Sequence, residues 1–208
     1  PNSISVLGFR IAFYGIIIGL GMLAGMAIAC SDARRRGQDP DIYLDFALYA
    51  IIFSIMGARA YYVIFDWANY KDDLLQIFNL RAGGLAIYGG VIAAALTLIV
   101  FTKKRKLSFF SMADSGVLGL ITGQMIGRWG NFFNCEAFGG YTNNLFAMRI
   151  RKSLVNPAMI SRQLVDNEIV ENGIAYIQVH PTFLYESLWN LGVLMFMLWY
   201  RKRKKFEG

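Results

Sequence analysis

Val117-Leu118-Gly119-Leu120-Ile121-Thr122-Gly123-Gln124-Met125-Ile126 runs without a charge into Gly127-Arg128-Trp129-Gly130-Asn131-Phe132-Phe133-Asn134-Cys135-Glu136-Ala137-Phe138-Gly139. The first ten residues read as an apolar, helix-like segment. The next thirteen set an arginine, two carboxamides and a carboxylate among glycines and aromatics. A guanidinium is a rigid fork of donors that matches phosphate or carboxylate. Asn131 and Asn134 each donate and accept, and Glu136 accepts or, when buried, holds a proton. Polar groups this dense at the edge of an apolar run are costly there and mark a functional site by default.

Taken singly, these residues have plainer readings. Arg128 can snorkel to headgroups, Trp129 can belong to an aromatic belt, and the asparagines can cap a helix end. Those roles give no reason for Gly127, Gly130 and Gly139 beside them, so the set is read as a site.

Outward from this stretch, the composition fixes the class. Of 208 residues, 56% are hydrophobic and 17% charged, against about 25% charged in soluble domains. The chain reads as an all-α polytopic membrane protein. Two cysteines and one histidine leave no disulfide framework and no multi-histidine metal site. The first residue is Pro1 rather than methionine, so a start further upstream is expected.

Five apolar runs are long enough to cross a hydrocarbon core of ~30 Å as helices. They are Ile11 to Cys30, Phe46 to Phe65 (interrupted by Arg59), Ala82 to Phe101, Leu107 to Gly127 (with Asp114), and Pro181 to Tyr200 (with Glu186). Gly15 and Gly19, Gly21 and Gly25, and the Gly119, Gly123, Gly127 stripe have the four-residue spacing that lets helices approach closely. Three basic clusters, Arg34–Arg36, Lys103–Lys106 and Arg201–Lys205, hold 12 of the 21 Lys and Arg. They follow runs one, three and five, hence one side of the membrane. The positive-inside rule makes that side cytoplasmic and the N-terminus external. The net charge of +7 is therefore topology, and no nucleic-acid partner is implied.

This topology puts residues 131–180 outside as a small α/β head between spans four and five, with residues 1–130 forming spans one to four and 181–208 the fifth span and basic end. Ala147 to Arg151 and Ala175 to Val179 alternate apolar and polar residues as strands do, with Asn172-Gly173 a turn before the second.

The signature resembles bacterial prolipoprotein diacylglyceryl transferases. So do Gly83-Gly84-Leu85-Ala86-Ile87-Tyr88-Gly89-Gly90, His180-Pro181-Thr182-Phe183-Leu184-Tyr185-Glu186, Phe13-Tyr14-Gly15 and Gly57-Ala58-Arg59. The resemblance runs from about Tyr14 to Arg203. It implies an enzyme of the bacterial cytoplasmic membrane that moves the diacylglyceryl group of phosphatidylglycerol onto the lipobox cysteine of a preprolipoprotein signal peptide. The products are a thioether and glycerol 1-phosphate, and no cofactor or metal is needed, since the leaving phosphate drives the reaction. It further implies seven spans, two more than this chain shows, one of them bearing another active-site arginine.

Under that chemistry the thiol must become a thiolate, its ordinary pKa being about 8.5, and the leaving phosphate needs positive charge. Arg128 is assigned to the phosphate with Asn131 beside it, three residues on and on the same helix face. Asn134 and Gly139 complete the lipid-binding set. Arg59 is either a second phosphate contact or a structural partner of Asp114 or Glu136. Glu136 either orients Arg128 or accepts the proton, the plainer reading being an ion pair to Arg128. Tyr88 stands where some members have histidine. A phenol there donates to a phosphate oxygen or relays a proton, but with a pKa of about 10 is a poor base. Tyr14 takes a similar role by resemblance, its plain alternative being a core tyrosine. His180 reads as a cap or headgroup contact, and Cys135 as packing, since the acceptor thiol belongs to the substrate. The rival readings are a small lipid or anion transporter, for which internal repeats are wanting, and another phospholipid headgroup transferase.

Overall fold

The computed structural model describes residues 3–6, 9–80 and 83–203. Ala82, where the third run was expected to begin, and Lys204 and Lys205 of the last basic cluster lie outside the described residues. A short hairpin, β1 (Ser3–Val6) paired antiparallel with β2 (Phe9–Ala12), precedes α1 (Phe13–Arg35). Then come α2 (Pro40–Phe65), α3 (Ile87–Arg105) and α4 (Phe109–Asn134). A sheet region of β3 (Met148–Arg151), α5 (Arg162–Asp166), β4 (Ile169–Glu171) and β5 (Ile174–Val179) leads to α6 (Thr182–Tyr200). Among the described residues three helices, α1, α2 and α3, are long and apolar enough to cross a membrane.

Several boundaries differ from those expected. Ile11 and Ala12 pair in β2, so α1 starts at Phe13. Gly83 and Gly84 have φ of +85° and +75°, a left-handed backbone that glycine tolerates, and α3 begins only at Ile87. The first eight residues of the signature form the end of α4, which continues to Asn134, and Cys135 to Gly139 follow it. The α2 start moves out to Pro40, where Asp39 accepts a hydrogen bond from the Asp41 amide and proline occupies the first turn.

The chain folds as two compact units, one of residues 1–28 with 118–204, the other of residues 29–117 in its described part. In the second unit α2 and α3 meet at glycines: a Cβ on Gly89 would stand 2.3 Å from the Gly57 carbonyl oxygen. The ring of Phe101 lies 5.6 Å from Phe46 and 6.1 Å from Tyr49. At the base of this unit Asp32, fully buried, is held by Arg35 at 3.0 Å, Arg36 at 2.7 Å and the Ser115 hydroxyl at 2.9 Å. Arg36 also reaches Asp114 at 3.3 Å. A buried carboxylate needs this compensation, so part of the first basic cluster serves it.

In the first unit the early part of α1 packs on the late part of α4. A Cβ on Gly25 would meet the Gly119 carbonyl oxygen at 2.5 Å, and one on Gly21 the Gly123 oxygen at 3.1 Å, whereas Gly15 and Gly19 face open space. The sheet has order β3-β5-β4, all antiparallel, with Ile150 opposite Ile177. Asn172 and Gly173, both at positive φ, make the tight turn from β4 to β5. Ile150, Val155, Leu164, Ile177 and Val179 form its core, against which Cys135, Phe138 and Tyr141 pack. The Asn-Gly signal therefore marks a hairpin with a strand on each side.

Candidate active site

The last turns of α4, the loop after them and the first turns of α6 carry most of the polar signature. Arg128 points a guanidinium nitrogen at Glu186 on α6, 2.6 Å from its carboxylate, with the two side chains 39% and 46% exposed. A half-exposed pair of this kind contributes little to stability, and among the described residues the fork has no other ion-pair partner. The partner of Arg128 is thus Glu186 rather than Glu136. Trp129 does not merely sit in an aromatic belt: its indole N–H donates to the Ser187 hydroxyl at 3.1 Å, which in turn donates to the Met125 carbonyl at 2.9 Å. Phe183 closes the same contact, 5.3 Å from Trp129 and 4.9 Å from Phe132.

Glu136 is held differently. The side-chain amides of Asn131 and Asn134 both donate to one of its oxygens, at 3.1 Å and 3.2 Å. The asparagines therefore clamp the carboxylate instead of capping the helix with their side chains. The backbone that allows this is strained: Cys135 and Ala137, on either side of Glu136, have φ of +52° and +50°. Left-handed non-glycine residues of this sort cluster at functional sites. Gly139 lies directly on the His180 segment, where a Cβ would be 2.8 Å from the His180 Cβ. Its amide donates to the His180 carbonyl at 3.0 Å, and the His180 amide to the Gly140 carbonyl at 3.1 Å. Thr182 closes the loop by donating to the Ala137 carbonyl. His180 Nδ1 is 3.3 Å from the Tyr185 hydroxyl.

Tyr14, in the first turn of α1, lays its ring over Gly130, where a Cβ would come within 2.8 Å of it. So the first unit gathers Tyr14, Arg128, Asn131, Asn134, Glu136 and Gly139. Glu186, named in the sequence only as a charge in span five and a motif residue, joins them. Its signal was a lone carboxylate in an apolar run.

Arg59 and Tyr88 belong to the second unit. Arg59 is buried, and its guanidinium donates to the carbonyls of Ile77, Gly83, Gly84, Gln76 and Asn79 at 2.6–3.3 Å. The ring of Tyr70 lies 5.0 Å from it. Neither Asp114 nor Glu136 is its partner in these bonds, and the fork is spent on the loop that leads into α3. Tyr88 stands in the first turn of α3, 69% exposed.

Cys135 packs against the sheet core, and burial pushes its thiol above the ordinary range. A raised thiol supplies less thiolate at neutral pH, which suits packing. Cys135→Ala is expected to keep the protein's activity within about twofold, as ordinary packing residues allow, measured as initial rate; loss of activity would make the thiol a participant.

A half-exposed arginine ion pair, a clamped carboxylate and left-handed backbone thus lie together where the end of α4 meets the start of α6, in a chain with helices long and apolar enough to cross a membrane. The family model described as prolipoprotein diacylglyceryl transferase matches residues 1–208, and the chain belongs to that family. Among similar proteins is the phosphatidylglycerol–prolipoprotein diacylglyceryl transferase of Clostridioides difficile (strain 630), 40% identical over 206 residues, covering 99% of this chain and 73% of that protein. The protein of the same name from Halalkalibacterium halodurans is 42% identical over 191 residues, 91% of this chain and 62% of the relative. That of Clostridium botulinum (strain Langeland) is 39% identical over 208 residues, 100% and 76% respectively.

Proposed function

We propose that the chain transfers the diacylglyceryl group of phosphatidylglycerol to a cysteine thiol in the lipobox of a prolipoprotein. The observation that carries this reading is the Arg128–Glu186 pair beside the Asn131–Glu136–Asn134 clamp, in a chain whose relatives bear that activity in their name. The sulfur attacks the glycerol carbon that bears the phosphate. A carbon–sulfur bond forms, the carbon–oxygen bond breaks, and the electron pair leaves with the phosphate as glycerol 1-phosphate. Arg128 neutralises the charge that develops on the leaving oxygen, and Glu186 aims the fork. Glu136, fixed by two amides, or a phosphate oxygen of the lipid takes the thiol proton. Asn134 and Gly139 shape the lipid contact, and Tyr14 lines the α1 side. For Arg59 the assignment moves from phosphate contact to holding the carbonyls of residues 76, 77, 79, 83 and 84.

The activity is tested by incubating the full-length protein with phosphatidylglycerol and a cysteine-bearing signal peptide. A peptide mass gain of one diacylglyceryl unit, stable to hydroxylamine as a thioether is, supports the reading. A phosphatidyl adduct, or none, overturns it in favour of another headgroup transferase or a transporter.

Tyr88 is proposed as a donor to a phosphate oxygen, the role its phenol O–H offers. Tyr88→Phe should lower the rate about tenfold without moving its pH profile, whereas loss of a titrating limb would make Tyr88 the base. The five long helices are proposed as spans, with the N-terminus and the 131–180 head outside and the basic clusters in the cytoplasm. An impermeant thiol reagent applied to intact cells should label a cysteine at Asn167 and spare one at Lys104; the reverse pattern would invert the topology.

A further inference from the structure

Between α2 and α3 runs an open groove of about 680 Å³, within the ~300–1,000 Å³ usual for ligand sites. Its floor is Gly57, Ala60 and Ala93. At Gly57 the helices touch, a Cβ there coming within 2.4 Å of the Ala93 Cβ, and the groove runs alongside that contact. Phe53, Leu96 and Val100 wall it with apolar surface. Along α2 the groove extends from Tyr49 to Ala60, which at ~1.5 Å per residue is about 16 Å. That is about half of the ~30 Å hydrocarbon core, so the groove has the length of a single leaflet.

Its far end is cationic. Lys104 and Arg105 line it, within the exposed run Lys103 to Lys106. Arg105 pairs with Asp45 at 2.9 Å and lies over the Phe101 ring at 5.5 Å, so Asp45 offsets one of the four charges. Lys104 has no ion pair among the described residues. None of the residues placed in the reaction lines the groove.

We propose that this groove binds one anionic phospholipid, an acyl chain along the Gly57–Ala60–Ala93 floor and the phosphate at Lys104 and Arg105. An apolar slot of one leaflet's length ending in net positive charge complements a lipid that is apolar over that length and anionic at its end. A zwitterionic lipid fits the slot but gains less from its cations.

Leu96, exposed in the groove wall, provides the probe position. The Leu96→Trp protein is reconstituted in phosphatidylcholine vesicles containing an equal fraction of acyl-brominated phosphatidic acid or acyl-brominated phosphatidylcholine. Phosphatidic acid presents the phosphate without the glycerol headgroup, so its occupancy is read apart from the substrate's. The quenching of the added indole over the 4 native tryptophans is the readout. The expected preference for phosphatidic acid is about fivefold for each cation engaged, and Lys104→Gln with Arg105→Gln abolishes it while quenching by phosphatidylcholine and transfer at saturating phosphatidylglycerol persist. Equal quenching by both lipids in the otherwise unaltered protein means bulk lipid fills the groove and overturns the proposal. Quenching by neither means another protein segment or a second copy covers it, which also overturns it.

Discussion

Arg128→Lys is expected to lower diacylglyceryl transfer on the order of a hundredfold, a loss of about 3 kcal/mol in transition-state stabilisation, with the protein still inserted in the membrane. Lysine keeps the charge but not the planar fork. Arg128 already gives one nitrogen to Glu186 at 2.6 Å, so only a group with further donors can hold that pair and grip a phosphate. A single ammonium on a flexible stem has three donors but no planar fork, so it cannot present two parallel N–H groups to the phosphate while it holds Glu186. Initial rates at matched amounts of membrane-inserted protein measure the effect. Near-normal transfer by the lysine variant would return Arg128 to the role of a headgroup anchor.

Arg59→Leu is expected to destabilise the protein by about 1–3 kcal/mol, the cost of leaving acceptors such as the half-buried Ile77 and Gly84 carbonyls without their partner. Five carbonyls, of residues 76, 77, 79, 83 and 84, converge on this one guanidinium. Water entering the loop recovers some of them. The segment before α3 should open first, because the Arg59 bonds to it are lost while the Ala86 amide on the Ala58 carbonyl at 3.0 Å remains. Hydrogen exchange over that segment and the thermal midpoint in detergent measure the change. Arg59→Lys restores part of the protection, having three donors rather than five. Unchanged exchange in the leucine variant would show that the loop holds itself.

The helices were legible where a pattern lies within one segment. Gly119 and Gly123 repeat at helical spacing, and that stripe does meet α1, at Gly25 and Gly21. The beginning of α3 was not legible, because Gly83 and Gly84 continue an uncharged run while their backbone is left-handed. Nor was the hairpin at Ser3–Ala12, whose strands are four residues each. In the site, the residue types of the signature were legible but their partners were not. Sequence reading offered Glu136 to Arg128 because it is near in the chain; the carboxylate that meets it, Glu186, comes from α6, 58 residues on. For Arg59 it offered carboxylates, because side-chain charges can be seen in a sequence, whereas the carbonyls that hold it belong to every residue alike. The clamp of Asn131 and Asn134 on Glu136 depends on two left-handed residues, Cys135 and Ala137, and neither residue type announces that conformation.

The central claim is that Arg128 stabilises a phosphate leaving from carbon. It is tested most directly with phosphatidylglycerol carrying oxygen-18 in the bridge between the diacylglyceryl carbon and phosphorus. Attack by sulfur on carbon breaks that carbon–oxygen bond, so all of the label should appear in the released glycerol 1-phosphate and none in the acceptor peptide. Label retained on the diacylglyceryl product, the mark of cleavage at phosphorus, would contradict it.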